Sequence, residues 1–231
     1  MILSYYRAVR SYIVAILNQK GGCGKTTVAM QLAAALAREK LRVLVVDADP
    51  QGTAARWSAS APENDLFPAD VIGLSIAESK VHQELKKFMG KYDWIIVDCP
   101  PAVENKSSQS ALLVADLAII PVIPSPPDLW AAVGIRELIT SVASINEGLQ
   151  SALLPNMCQT NVAISKDALE VMKDFGIPTL KSRLHLRTAY RQSAALGGHV
   201  FNLGSKAKPA IKEISSLKRE VKRMLAKQEK A

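Results

Sequence analysis

Cysteine is scarce in this chain: three in 231 residues, at positions 23, 99 and 158, odd in number and far apart. That excludes a disulfide framework and fits free thiols in a reducing compartment. Histidine is as rare, and His82, His185 and His199 share no ligand spacing with one another or with the cysteines. A zinc-type centre is therefore not expected. The apolar stretch around 111–123 is broken by Asp116 and Pro121, so it does not read as a membrane span. A secretory apolar core with a cleavage site is missing, as are repeats, low-complexity blocks and long linkers. The expectation is a cytoplasmic protein with one domain over residues 12–231, preceded by residues 1–11 of no assignable role.

One further absence falls inside a motif. The phosphate-loop pattern G-x-x-x-x-G-K-[ST] is half present, with Gly24, Lys25 and Thr26 in place. Where its first glycine belongs stands Gln19, followed by an additional cation, Lys20. In such loops backbone N–H groups cradle phosphates, the lysine reaches the terminal ones, and the hydroxyl serves Mg²⁺. A second cation at the lip can neutralise phosphoryl charge as an arginine finger does, in its own subunit or across a dimer. The flanks fit this reading. Residues 13–17 form an unbroken apolar strand, and Val28, Leu32, Ala35 and Leu36 recur at helical spacing after Thr26. Strand, glycine turn and helix aim a helix N-terminus at an anion.

Two more apolar runs end in carboxylates: residues 42–46 lead into Asp47 and Asp49, and residues 94–97 into Asp98. In an open parallel sheet these ends converge on one crevice. Strands are expected near 13–17, 42–47, 94–98, 117–122, 152–157 and 178–182. Helices are expected near 25–38, 74–89, 128–144, 166–174 and 207–227. The alternation specifies an α/β fold, a doubly wound and mainly parallel sheet with helices on both faces. Pro124-Ser125-Pro126-Pro127 stiffens the start of the helix containing Trp130, either as a proline-capped start or as a nucleotide-sensing segment.

Acid is what the C-terminus lacks. Residues 181–231 hold 13 of the 29 Lys/Arg and only 3 of the 21 Asp/Glu, a net +10 against −2 for the rest. Such asymmetry suggests a polyanion partner, most simply the backbone of double-stranded DNA, bound without sequence preference. Candidate contacts are Lys181, Arg183, Arg187, Arg191, Arg219, Lys222 and Arg223. The last helix also has an apolar stripe at Ile211, Ile214, Leu217, Val221 and Leu225. Docking on the protein's own core is the expected use of that stripe; lying on an anionic membrane is the alternative.

Residues 20–27, 47–52 and 95–101 together resemble the motifs of the ParA/MinD family of deviant Walker ATPases, and the segment 121–130 is similar to its small ParA members. That resemblance implies a P-loop NTPase fold, ATP and ADP as ligands with Mg²⁺, and an ATP-dependent homodimer. Gly21, Gly22, Cys23, Gly24, Lys25, Thr26 and Thr27 would wrap the phosphates, and Thr26 with Asp98 would hold the metal. Lys20 would reach the partner subunit's phosphates. Asp49 would position or activate the attacking water with support from Asp47, and Asn156 would meet the adenine. The implied function is nucleoid-associated positioning of a plasmid, chromosome or protein organelle, switched off by a cargo adaptor that stimulates hydrolysis. A membrane-bound positioning ATPase and a biosynthetic enzyme of the same fold are the alternatives.

Overall fold

Each central strand is apolar on both sides, so its alternate residues serve two different cores. Val14 and Ile16 of the first strand enter one layer, while Ile13, Ala15 and Leu17 enter the other. The computed structural model describes residues 10–101, 105–159, 170–172 and 174–228. Its elements run β1 (Tyr12–Ile16), α1 (Lys25–Ala37), β2 (Val43–Asp47), α2 (Thr53–Ala59) and β3 (Asp70–Gly73). A 3₁₀ segment (Ser75–Lys80), α3 (Val81–Lys86), β4 (Trp94–Asp98), α4 (Lys106–Leu112) and β5 (Leu117–Val122) follow. Then come α5 (Pro126–Ala131), α6 (Val133–Ala143), β6 (Gln150–Pro155), α7 (Thr188–Ala195), a second 3₁₀ segment (Val200–Ala207) and α8 (Lys208–Gln228).

Among the described residues the sheet has six strands in the order β3-β2-β4-β1-β5-β6, and every pairing is parallel. The chain winds one way from β1 to β3 and the other way from β4 to β6. That reversal opens a crevice at the carboxyl ends of the strands. Helices cover both faces, with α1 and α8 in one layer and α3 to α6 in the other.

Several details depart from the sequence expectations, and the short helices α2, α4 and α7 were not foreseen at all. The edge strand β3 was not foreseen, because Asp70-Val71-Ile72-Gly73 offers only two apolar residues and lies half exposed. The helix expected over 128–144 starts at Pro126, capped by Ser125, and divides at Ala132. The one expected over 74–89 opens as 3₁₀, turns at Glu78 (φ 43°) and becomes α-helical only from Val81. In place of a strand over 178–182 there is a single bridge, Thr179 opposite Leu153. The ladder is interrupted where the Glu220 carboxylate takes the amides of Lys181 and Ser182 (2.8 Å each), and the segment rejoins the chain just beyond β6 at the Cys158–His185 bridge. The helix expected over 166–174 falls largely outside the described residues.

The stripe on α8 is consumed by the core. Ile214, Leu217, Val221 and Leu225 are fully buried, in the cluster that contains Leu32 and Leu36 of α1. Each such side chain contributes about 1.5–3 kcal/mol relative to exposure, so lifting this helix onto a bilayer carries a steep cost. Among the described residues no helix is long and apolar enough to cross a membrane.

Candidate nucleotide site

The loop between β1 and α1 is shaped by two left-handed glycines, Gly22 (φ 75°) and Gly24 (φ 88°). At Gly24 a side chain faces a second obstacle, since a Cβ would lie 2.5 Å from Asn156 Nδ2. The first turn of α1 carries no acid and no side-chain cap, so its N–H groups remain available to an anion. Asn18 ties the loop down: its Nδ2 donates to the Pro121 carbonyl (2.7 Å) and its Oδ1 accepts from the Lys20 amide (3.2 Å). Lys25 is buried, and its ammonium donates to the Lys20 carbonyl (3.3 Å). Burial pushes the Cys23 thiol up, against the pull of Lys25, so this loop cysteine fills space as an unreactive thiol. Cys99, pushed up by burial to about 12, and Cys158, to about 11, are inert in the same way.

The three carboxylate-bearing strand ends converge as the fold requires. Asp47 and Asp98 are paired positions of β2 and β4, and Ile16, just before the loop, pairs with Asp98 on the other side. Asp98 Oδ2 accepts from Thr26 Oγ1 at 2.6 Å. Its Oδ1 is buried without a hydrogen-bond partner among the described residues. Burial pushes this carboxyl up to about 7, and the neighbouring Asp47 adds to the rise against the Thr26 hydrogen bond. A hydroxyl and an orphaned carboxylate oxygen beside a phosphate loop are hard oxygen donors, which suits Mg²⁺ with nucleotide and water completing its shell.

Asp47 has a second job that its sequence position did not reveal. Its Oδ1 accepts from the Asp49 amide (3.2 Å) and its Oδ2 from the Ala55 amide (2.9 Å), so it holds the turn that leads into α2. Asp49 is half-buried, and its Oδ1 accepts from the Gln51 amide (2.9 Å). One Asp49 oxygen is left unengaged by the described residues. Lys20 stands at the mouth with 41% of its side chain exposed, and its ammonium meets Asp128 Oδ1 at 2.7 Å. Asp128 is buried at the start of α5, where its other oxygen takes a hydrogen bond from the Ser125 hydroxyl. The spacing Ser125-x-x-Asp128 is a helix-start signature visible in sequence, but nothing local announces Lys20 as the partner.

A cavity opens beside the loop, lined by Thr27, Asn156, Met157, Leu186, Arg187 and Tyr190 among others. Asn156 Nδ2 donates one of its two N–H groups to the Cys23 carbonyl (2.7 Å), which leaves the acceptor Oδ1 and a second N–H to offer. Two of the residues expected on a DNA surface, Arg187 and Arg191, also line this cavity. Arg187 is bonded to Glu213, and Lys222 of α8 is paired, with Lys218, to Glu39 at the end of α1. Lys181, Arg183, Arg191, Arg219 and Arg223 are exposed and none forms a salt bridge among the described residues, although Arg223 lies near enough to Glu220 to favour its ionised form.

The family model described as the CobQ/CobB/MinD/ParA nucleotide binding domain matches residues 14–200. The chain is 34% identical to the maintenance of carboxysome distribution protein A of Halothiobacillus neapolitanus, over 92% of this chain and 97% of that protein. It is 27% identical to the chromosome partitioning protein ParA of Myxococcus xanthus, over 75% of this chain and 76% of that one. A solved Cyanothece McdA variant in complex with ATP has the same fold, with a TM-score of 0.76, 21% identity and coverage of 91% of this chain and 96% of that one. A family match over most of the chain, on top of a phosphate loop and acidic strand ends in the expected crevice, is decisive: the chain belongs to the CobQ/CobB/MinD/ParA family of nucleotide-binding domains.

Proposed function

We propose that this chain is an ATP-dependent positioning ATPase, in which ATP binding joins two copies face to face and hydrolysis separates them. The observation that carries the reading is Lys20: a second lysine, beyond the one a phosphate loop needs, on the exposed rim of the site. The similarity over nearly the whole length to a carboxysome distribution protein, and over three quarters to a chromosome partitioning protein, supports positioning over small-molecule synthesis. Residues 12–231 act as one ATPase domain.

In this reading the backbone of residues 21–27 wraps the phosphates and Lys25 neutralises the terminal ones. Thr26 and Asp98 hold Mg²⁺, which when bound supplies Lewis-acid neutralisation of the transferring phosphoryl group. Asn156, with Oδ1 as acceptor and its second N–H as donor, meets the base, and adenine answers with an amino donor beside a ring-nitrogen acceptor. Asp49 orients the attacking water through its unengaged oxygen, while Asp47 keeps the turn in place. Asp49→Ala is expected to retain ATP binding but to lower phosphate release by about a hundredfold; unchanged release in a folded variant removes Asp49 from this role.

The ATP-bound dimer binds double-stranded DNA through phosphate contacts, places the protein on the nucleoid, and lets go when a cargo-bound adaptor stimulates hydrolysis. The exposed cations that form no salt bridge among the described residues carry this contact. Arg187 and Lys222 are poorer candidates, because Glu213 and Glu39 already occupy them. The burial of the α8 stripe favours DNA over a membrane surface. The test is binding to unrelated DNA duplexes, with and without ATP, across a salt series. The Arg219→Ala, Arg223→Ala double variant should weaken all sequences alike and reduce the salt slope by about 2. A loss restricted to one sequence overturns backbone recognition, and ATP-dependent capture by anionic vesicles in place of DNA overturns the nucleoid assignment.

A further inference from the structure

Part of the wall of the cavity that Asn156 lines is held by one carboxylate that belongs to the C-terminal helix. Glu213, in the second turn of α8, accepts on Oε1 from Arg187 Nε (2.9 Å), Arg187 Nη2 (2.6 Å) and His185 Nδ1 (2.8 Å). Its Oε2 accepts from the Tyr190 hydroxyl (2.9 Å) and the His185 amide (3.2 Å). His185, Arg187 and Tyr190 all line the cavity that also contains Thr27 and Asn156. Only 11% of the Glu213 side chain is exposed. Burial alone would push its carboxyl up; the Arg187 guanidinium and the other donors reverse that and hold it below the usual carboxylate range. Tyr190 is pushed up by burial and by Glu213, so its hydroxyl stays a donor. The three side chains have no common local structure. Residues 185–187 form a loop and Tyr190 lies on α7, and it is this carboxylate that draws them into a single surface.

We propose that Glu213 is a positioning residue for the nucleoside: by gathering His185, Arg187 and Tyr190 it builds the outer wall of the pocket, and so makes nucleoside binding and the seating of α8 one coupled equilibrium. The inference rests on the nucleotide reading of the phosphate loop. Coupling of this kind is reciprocal. A nucleoside that orders the wall tightens α8 onto the core, and a ligand on the exposed basic face of α8 (Arg219, Arg223) is felt at the pocket through the same helix. Glu213 touches no phosphate-loop residue through these bonds, so its contribution is confined to the nucleoside half of the ligand.

That confinement provides the test. Affinities for ATP and for inorganic tripolyphosphate, each with Mg²⁺, are measured by calorimetry on the full chain, and amide exchange of α8 is followed with and without ATP. In Glu213→Gln, which keeps one acceptor oxygen and places an amide among donors, ATP affinity should fall about tenfold while tripolyphosphate affinity stays within about twofold. The ATP-dependent slowing of exchange in α8 should vanish. Tyr190→Phe removes one donor without unpairing the carboxylate, and should show the same selectivity with a loss of about threefold; it carries the test if Glu213→Gln does not fold. Unchanged ATP affinity in either folded variant, or an equal loss for ATP and tripolyphosphate, overturns the positioning role. Failure of the unmodified chain to bind both ligands instead removes the nucleotide reading itself, and this inference with it.

Discussion

Asp98→Asn is expected to make the nucleotide-free chain more stable at pH 8 while lowering its Mg²⁺-dependent ATP hydrolysis by about a hundredfold or more. Both effects come from one atom. Asp98 is 1% exposed, its Oδ2 is served by Thr26, and its Oδ1 is buried with no partner among the described residues. A carboxylate in that position is held against desolvation, which is why burial moves its pKa from 3.8 to about 7. A raised carboxyl pKa means that the folded chain holds the proton more tightly than the unfolded one. The associated stability is complete below pH ~4 and is lost as pH rises through about 7. The loss at pH 8 amounts to at most about 4 kcal/mol.

Denaturant unfolding of the two proteins across this range should give curves that coincide at low pH, diverge between pH ~4 and ~7, and run parallel above. The order reverses on adding ATP with Mg²⁺, because only the unmodified carboxylate gains a cation. Equal stabilities at pH 8 would mean that Asp98 is solvated well enough to ionise without penalty, and the case for a poised metal ligand would fall with it. The site therefore stores instability in the empty state that its ligand relieves. Functional sites commonly depart from stability optima in this direction.

How much of this was legible in sequence follows from range. The loop, its second lysine and the acidic strand ends are local patterns of a few residues, and α1, β1, β2 and β4 stand almost where periodicity placed them. Features set by distant partners were not legible. Lys20 meets Asp128 across more than a hundred residues, and Lys218 and Lys222 meet Glu39 across about 180. The C-terminal excess of charge was read correctly as a sum, yet which cations remain free depends on acids elsewhere in the chain. Glu213 and Glu220, two of the three acids in the basic tail, are engaged by groups 26 or more residues away: one by Arg187, the other by the amides of Lys181 and Ser182. The division of the 128–144 helix at Ala132 comes two residues before Gly134, a single poor helix former that does not by itself announce a break. The Ser125 cap and the buried Asp128 fix the start of α5 beside Lys20.

Lys20→Ala is expected to abolish ATP-dependent dimerisation or the hydrolysis coupled to it, lowering stimulated turnover by about a thousandfold, the scale of a lost trans-acting cation. The structure adds a competitor to that prediction. In the single chain the Lys20 ammonium is already neutralised by Asp128, so reaching a partner's phosphates requires exchanging one anion for another. A triphosphate offers more charge than one carboxylate, and the exchange runs forward only when ATP is present in the facing subunit. Removing the competitor should shift the balance. Asp128→Asn keeps an acceptor for the Ser125 hydroxyl but loses the ionic hold, worth about 1 kcal/mol at a half-exposed lysine. Sedimentation velocity should then find dimers at about fivefold lower ATP than for the unmodified chain. The double variant Lys20→Ala, Asp128→Asn should behave as Lys20→Ala alone, since the carboxylate acts only through the lysine. If Asp128→Asn needs more ATP to dimerise, Asp128 is aiming Lys20 at the partner site, and the ion pair belongs to the active state.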